Sequence, residues 1–383
     1  MTAPSTIIAP RARFHIWRLA VFLLLSASAV VGQARVHKQV RKRATGPSDG
    51  TWRFAVSGDS RNCGDVVMPG IAAGVMSDRA IFYWHLGDLR WISDIDQDFK
   101  QLRGEKWTLP NIVDYERHAW DDFMQNQVAP FGALPFYLGI GNHETTIPKT
   151  RADFLARFAG LLDAPAIREQ RLQDDPSDRQ VRTYYHWIHD GVDFINLDNA
   201  TRDQFDDAQM KWLENDLARD GKNSAILAVV VGMHEALPDG LAPYHSMSQW
   251  SRGIESGRQV YQDLLKLQNE GHKKVYILAS HSHFFMDGVF NTEYWRTHGG
   301  ILPAWIIGTA GAVRYRLPAN LKDANAAMTD VYGYLLATVN PPRTPKGTIR
   351  FEFKQLQESG IPAGVAQRFT PAFVHECFEH NRQ

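Results

Sequence analysis

From Thr51 onward the chain reads as short apolar runs that each end in a polar cluster: WRFAVSGDS from Trp52, AIFYWHLGD from Ala80, LPFYLGIGNHE from Leu134, SAILAVVVGMHE from Ser224 and KVYILASHSH from Lys274. Near-continuous apolar runs of this length are what strands covered on both faces look like. Helical spacing of apolar residues predicts helices over 151–162 (RADFLARFAGLL) and 207–221 (DAQMKWLENDLARDG), the second ending on Gly221 placed as a C-cap. In YYHWIHDGVDFINLDN, residues 184–199, Asp190-Gly191 between two β-rich runs predicts a hairpin. From Trp305, WIIGTAG, YGYLLATVN and GTIRFEFKQL predict further strands, and no repeat of fixed period occurs. The alternation predicts a layered α/β domain over residues 51–356, with a tail over 357–383.

In open α/β sheets, ligands bind outside the carboxyl ends of the strands, and the polar clusters all stand at such ends. Asp59 follows WRFAVSG, Asp88 follows FYWHLG, Asn142 and His143 follow FYLGIG, His234 follows VVVGM, and His281 and His283 follow VYILAS. The last two are two residues apart, so on an extended strand they point the same way. Carboxylates, an amide oxygen and imidazoles together form a mixed N/O ligand set suited to Zn, Mn or Fe. Taken singly, a Gly-Asp after a strand is a turn and a buried histidine is a hydrogen-bonded core residue. Five strands presenting such groups at one end point instead to a metal centre.

Composition narrows the partners. Lys plus Arg and Asp plus Glu balance at 42 each, so net charge does not direct this 383-residue chain to nucleic acid. Arg11, Arg13 and Arg18 precede the apolar run 19–31 and the small-residue stretch ending at Ala34. That arrangement predicts a secretory signal peptide over 1–34, and the run is short for a spanning helix, which needs about 20 residues. Cleavage after Ala34 removes three arginines and no acid, leaving a secreted or periplasmic chain with a net charge near −3. Uncleaved, the same segment is an anchor, and only then is a membrane a partner. Residues 35–50 read as a flexible basic leader. Cys63 and Cys377 are the only cysteines, and their spacing decides neither a disulfide nor two thiols.

The order GD…GD…GNH[DE]…H…HxH, here GDSR (58–61), GDLRW (87–91), GNHE (141–144), VGMH (231–234) and SHSH (280–283), resembles the calcineurin-like metallophosphoesterases. In the spelling of its fourth and fifth motifs it is similar to the purple acid phosphatase branch. The resemblance covers about 51–311. It implies a four-layered α/β/β/α sandwich of two mixed sheets flanked by helices. It also implies two metal ions, Fe, Mn or Zn: Asp88 bridging, Asp59 and His283 on the first, Asn142, His234 and His281 on the second. His143 faces substrate as phosphate-stabilising group or general acid, and Glu144 orients it or is structural. The implied activity is phosphomonoester hydrolysis by a metal-bound hydroxide on a phosphorylated small-molecule or ester substrate. A phosphodiesterase and a noncatalytic metal- or phosphate-binding surface protein are the alternatives. The two-metal chemistry agrees, since paired ions clamp the attacking and leaving oxygens of an in-line displacement.

Two positions depart from the pattern. Arg61 and Trp91 stand where relatives carry a metal-binding histidine or tyrosine, and neither side chain is a usual ligand. Either water or Asn62 completes the first site and Arg61 binds phosphate, or the first ion is held weakly, or the site is degenerate. His245, in the loop PDGLAPYHSMSQW, is a further substrate-binding candidate, and Arg314 is another group able to reach phosphate. Asp198 and Asn199 end the hairpin strand as turn residues or supports of the ligands, and His85 and His186 fall inside strand patterns and pack.

Overall fold

The computed structural model describes residues 50–90, 96–103, 109–201 and 204–383. The predicted signal segment, all but the last residue of the predicted leader, and Trp91 lie outside these. The strands, in chain order, are β1 (Trp52–Ser57), β2 (Tyr83–His85), β3 (Phe136–Leu138), β4 (Tyr185–His189), β5 (Val192–Asn196), β6 (Ala228–Gly232), β7 (Lys274–Ala279), β8 (Phe285–Asp287), β9 (Ala304–Ile307), β10 (Ala326–Met328), β11 (Tyr332–Val339) and β12 (Ile349–Leu356). They form two mixed sheets, of order β12-β11-β1-β2-β3 and β10-β8-β9-β7-β6-β5-β4. In the first, β1, β2 and β3 run parallel; in the second, β5, β6, β7 and β9 do. All the apolar runs singled out in the sequence are strands here.

The helices are α1 (Gly64–Ser77), α2 (Gln97–Arg103), α3 (Leu109–Phe123), α4 (Arg151–Leu162), α5 (Pro165–Asp174), α6 (Asp207–Lys222), α7 (Ser251–Asn269), α8 (Glu293–Thr297), α9 (Ala363–Phe369) and α10 (Pro371–Glu379). Helix α1 packs on the outer face of the first sheet, and α6 and α7 cover the second. Between the sheets lies an aromatic layer: Phe54 stacks on Phe82 at 5.1 Å, and Phe194 meets both edge-on at 5.0 and 5.2 Å. Edge-to-face contacts of this kind add about 0.5–1.5 kcal/mol each beyond the area they bury. No helix among the described residues is long and apolar enough to cross a membrane.

The local signals act as expected at the hairpin, where Asp190 and Gly191 take φ of 47° and 77° between β4 and β5. Gly221 differs. Helix α6 continues to Lys222, and Asn223 closes it by donating its N–H to Arg219 O at 3.0 Å. The glycine lies inside the last turn, where a Cβ would meet only Leu267. Helix α1 escapes the periodic pattern because GDVVMPGIAAGVMS is apolar on nearly every face, and its first nine residues are buried apart from Pro69.

The last residues, which carry no pattern of their own, form α9 and α10 and bury Phe369, Val374 and Cys377. Cys377 is disulfide-bonded to Cys63, whose Cα lies 5.9 Å away. The bridge ties the C-terminal helices to the loop between β1 and α1, which carries Asp59 and Arg61. Closing so long a loop constrains the unfolded chain. Cys377→Ser is expected to lower stability by about 2–5 kcal/mol, measured as a fall in the denaturant midpoint relative to the oxidised parent. An unchanged midpoint means the bridge adds nothing to the packing already present.

Candidate metal centre

The carboxyl ends of β1, β2 and β3 meet those of β6, β7 and β9 along one rim, and backbone bonds stitch the loops there. Gly58 N donates to Ile307 O at 3.0 Å, Asp59 N to Gly87 O at 3.0 Å, and Ser60 N to Asp88 O at 2.9 Å. Asp59, Asp88 and His281 take left-handed backbone, with φ of 64°, 56° and 63°. Such a conformation costs a non-glycine residue roughly 1–3 kcal/mol and persists where the surroundings over-determine it. The strain buys inward-facing side chains on turns too tight for a regular strand exit.

Glu144 is the chief support of these turns. Its Oε2 accepts from Asp88 N at 2.9 Å and Gly141 N at 2.8 Å, and its Oε1 accepts from Leu89 N at 2.9 Å. Burial, reinforced by the Asp88 charge, pushes the Glu144 carboxyl up to about 8. Gly141 has an ordinary extended φ of −108°, so the turn itself does not require glycine. Closeness does, because a Cβ there would lie 2.2 Å from Asp88 Oδ1.

The histidines are oriented from behind. His234 Nδ1 lies 3.1 Å from Leu86 O, and His283 Nδ1 lies 2.7 Å from Val313 O. Each Nδ1–H donates to a carbonyl, which turns the Nε2 lone pair inward, as ligating histidines require. Around His234 Nε2 stand Asn142 Oδ1 at 3.1 Å, His281 Nδ1 at 2.9 Å and Asp88 Oδ1 at 3.2 Å. Four potential ligand atoms thus converge on one point, the arrangement a shared cation takes. Against burial, which alone lowers it, the charge and hydrogen bond of Asp88 raise His234 to about 10, so the carboxylates demand positive charge at that nitrogen.

Asp59, Asp88, His234 and His281 each offer an atom within 4.8 Å of all the others. Asp59 Oδ1 and Asp88 Oδ2 are buried and accept no hydrogen bond. Their nearest polar neighbours include His283 Nε2, 3.2 Å from Asp59 Oδ1, and His143 Nε2, 3.3 Å from Asp88 Oδ2. The residues present therefore fit a metal ion.

Arg61 enters from the solvent side. Its guanidinium donates to His143 Nε2 and to His283 Nε2, the latter at 3.1 Å, and its Nε lies 4.0 Å from Asp88 Oδ2. Burial pushes the His143 imidazole down to about 3, with Arg61 adding to it against the pull of Asp88. Asn62 does not turn to the centre, because its Oδ1 accepts from Val313 N at 2.9 Å. His245, at φ 57°, packs against His281 with ring centroids 5.2 Å apart. With Arg61, Asn142, His143 and His281 it lines a cavity of about 410 Å³.

The remaining candidates are structural. Arg314 is buried and spends its guanidinium on the carbonyls of Asn381, Asp330 and Cys377, so it does not reach the cavity. Asp198 accepts both arms of Arg151, and Asn199 holds the backbone of Glu235, one residue past His234. His85 bonds Ser60 Oγ at 2.9 Å. His186 is buried, but among carboxylates rather than apolar groups. Tyr315 gave no signal in the sequence, yet its ring stacks on His283 at 3.9 Å and on His245 at 4.9 Å. It follows no strand-end motif, and only the fold brings it here.

Neither a protein-family model nor a curated protein matches the chain. Among solved structures, the purple acid phosphatase PPD1 from yellow lupin (Lupinus luteus) seeds matches 81% of this chain and 52% of its own, at 15% identity and a TM-score of 0.51. The chain thus spans about half the length of the lupin protein, and it has the metallophosphoesterase fold. PhoD matches at 16% identity over 86% of this chain and 76% of its own, with a TM-score of 0.47. GAP50, the anchor in the inner membrane complex of Plasmodium, matches at 11% identity over 80% and 85%, with a TM-score of 0.43.

Glu144→Gln turns one carboxylate arm into an amide donor facing backbone N–H groups. It is expected to cost about 1.5–3 kcal/mol in a denaturant midpoint and to loosen bound metal, read by dialysis. A variant with parental midpoint and metal content shows that the Asp88 turn stands without it.

Proposed function

We propose that the protein is an exported, metal-dependent phosphoester hydrolase with phosphomonoesters as its first substrate class. The observation that carries this reading is the convergence of Asn142 Oδ1, His281 Nδ1 and Asp88 Oδ1 within 3.2 Å of His234 Nε2. Asp88, Asp59 and His283 would hold one ion, and Asp88 with Asn142, His234 and His281 would hold a second. Iron, manganese and zinc all suit this N/O set. When bound, such ions act as Lewis acids on the phosphoryl group and lower the pKa of water.

The chain's own residues do the rest. Arg61 presents a planar fork at the cavity wall, suited to two oxygens of one phosphoryl group. In the substrate-free state that fork donates to His143 Nε2, which keeps the imidazole neutral. An arriving phosphoryl group takes over the Arg61 donors and brings negative charge beside His143. The ring then holds a proton at Nε2 and delivers it to the leaving oxygen, a role typically worth about 10²–10⁴-fold in rate. His245 borders the leaving-group side of the cavity.

A phosphodiesterase is the second reading. It is favoured by a groove of about 650 Å³ that continues past His245 along Tyr244, Phe284, Tyr315 and Leu317, with room for a second ester arm. Export is supported by the Arg-flanked apolar segment before Ala34 and by the Cys63–Cys377 disulfide, since such bonds persist in oxidising compartments.

His143→Ala is expected to keep its metal and lose about 10²–10⁴-fold in kcat on a phosphomonoester, whereas Asn142→Ala and His281→Ala lose metal and activity together. Loss of metal from His143→Ala makes that residue a ligand instead; activity absent from the metal-replete parent on mono- and diesters alike makes the protein a binder. Arg61→Ala is expected to raise KM more than it lowers kcat. Unchanged kinetics with altered metal content assign Arg61 to shaping the first ion's site.

A further inference from the structure

A second cluster of ionisable groups lies on β4 and β5 rather than on the loops that follow the parallel strands. His186 on β4 places Nδ1 2.9 Å from Asp193 Oδ2 on β5. Its Nε2 lies 2.5 Å from Asp174 Oδ2, at the end of α5, and 3.4 Å from Asp216 Oδ1 on α6. Asp220, one helical turn beyond Asp216, completes the group. Arg219 Nη2 reaches Asp216 Oδ1 at 2.6 Å and Asp174 Oδ2 at 3.1 Å.

The charges do not balance. Four carboxylates face one imidazole and one guanidinium, so even with His186 protonated two negative charges remain. Asp193, Asp216 and Asp220 each bring an oxygen within 4.8 Å of the other two. Asp216 and Asp220 are 0% and 3% exposed, and Oδ2 of each is buried without a hydrogen-bond partner. An acidic patch on a surface is answered by water; this one is inside. Two orphaned carboxylate oxygens in one buried cluster carry a desolvation cost that only a proton or a cation relieves. Burial and the Asp193 charge push Asp216 up to about 7 and Asp220 up to about 9, which marks the same shortage of positive charge.

We infer that Asp193, Asp216 and Asp220, with Asp174 and His186 beside them, form a site for one hard divalent cation that clamps α5 and α6 to the edge of the second sheet. An all-carboxylate core of three residues supplies up to six oxygens, the kind of set that calcium and manganese take. A cavity of about 240 Å³ lies against the outer members of the cluster, lined by Asp174, His186 and Arg219. The two charges of the ion match the two left over. The inference is independent of the hydrolytic reading, because none of these residues belongs to the candidate metal centre.

The test compares thermal unfolding of the full chain with Asp216→Asn and Asp220→Asn, in chelator and in millimolar Ca²⁺, Mg²⁺ or Mn²⁺. Ions bound at the other centre act equally on all three proteins and cancel in the difference. The parent is expected to gain at least about 4 °C more than either variant on adding the preferred ion, and to hold one more ion per chain by elemental analysis. In chelator the variants should melt at or above the parent, because each replaces a carboxyl crowded by other carboxyls with a neutral amide. Equal gains with equal ion counts overturn the site and assign the cluster to shared protons. If neither variant folds, calcium and manganese binding to the parent by equilibrium dialysis decides: no ion beyond those of the hydrolytic centre overturns it.

Discussion

Everything at the rim depends on holding Asp59 and Asp88 ionised and buried where hydrogen-bond donors do not fully serve them. Asp59 Oδ2 accepts from His281 N at 2.8 Å and Asp88 Oδ1 from His143 N at 3.2 Å, yet the other oxygen of each is left without a hydrogen bond. Such an arrangement is unfavourable by itself. It survives because two sheets press the loops together from both sides, and because, against its burial, the neighbouring His143, His234 and Arg61 hold Asp88 well below the usual carboxylate range.

The architecture serves this constraint at each level. Parallel strands in both sheets put five loops at one end, the aromatic layer of Phe54, Phe82 and Phe194 sets the sheets face to face, and backbone bonds such as Gly58 N to Ile307 O lock their ends. Strained turns at Asp59, Asp88 and His281 then become tolerable, because the packing around them leaves no alternative. The Cys63–Cys377 bridge adds a covalent tie within two residues of Arg61.

Arg61 is where this chain departs most from its motif pattern, and the geometry gives the departure a physical meaning. Its guanidinium lies between His143 and His283, so it competes for the lone pair that the first ion needs. The second ion's set, centred on His234, carries no such competitor. In the proposed two-ion reading the two halves of the centre are therefore unequal, and Arg61 stands at the first.

The sequence by itself determined the strands, the hairpin and the strand-end groups. Each rests on local physics: continuous apolar runs for doubly covered strands, Asp190-Gly191 for a tight turn, and polar residues where a strand leaves the core. It also pointed to one rim, because parallel strands place their carboxyl ends together. Only the tertiary structure decided what depends on distance between remote segments. The apolar helix α1 has no periodic face to read, and Glu144 looks like part of a ligand motif until its carboxylate is seen accepting the backbone of Asp88. Asn62 turns away to Val313, Tyr315 arrives against His283, and Cys63 finds Cys377. The cluster around His186 is the sharpest case. Its carboxylates come from α5, β5 and α6, and no spacing along the chain reveals that three of them share one buried imidazole. Local pattern fixes which elements form; the close approach of like charges is a property of the packing alone.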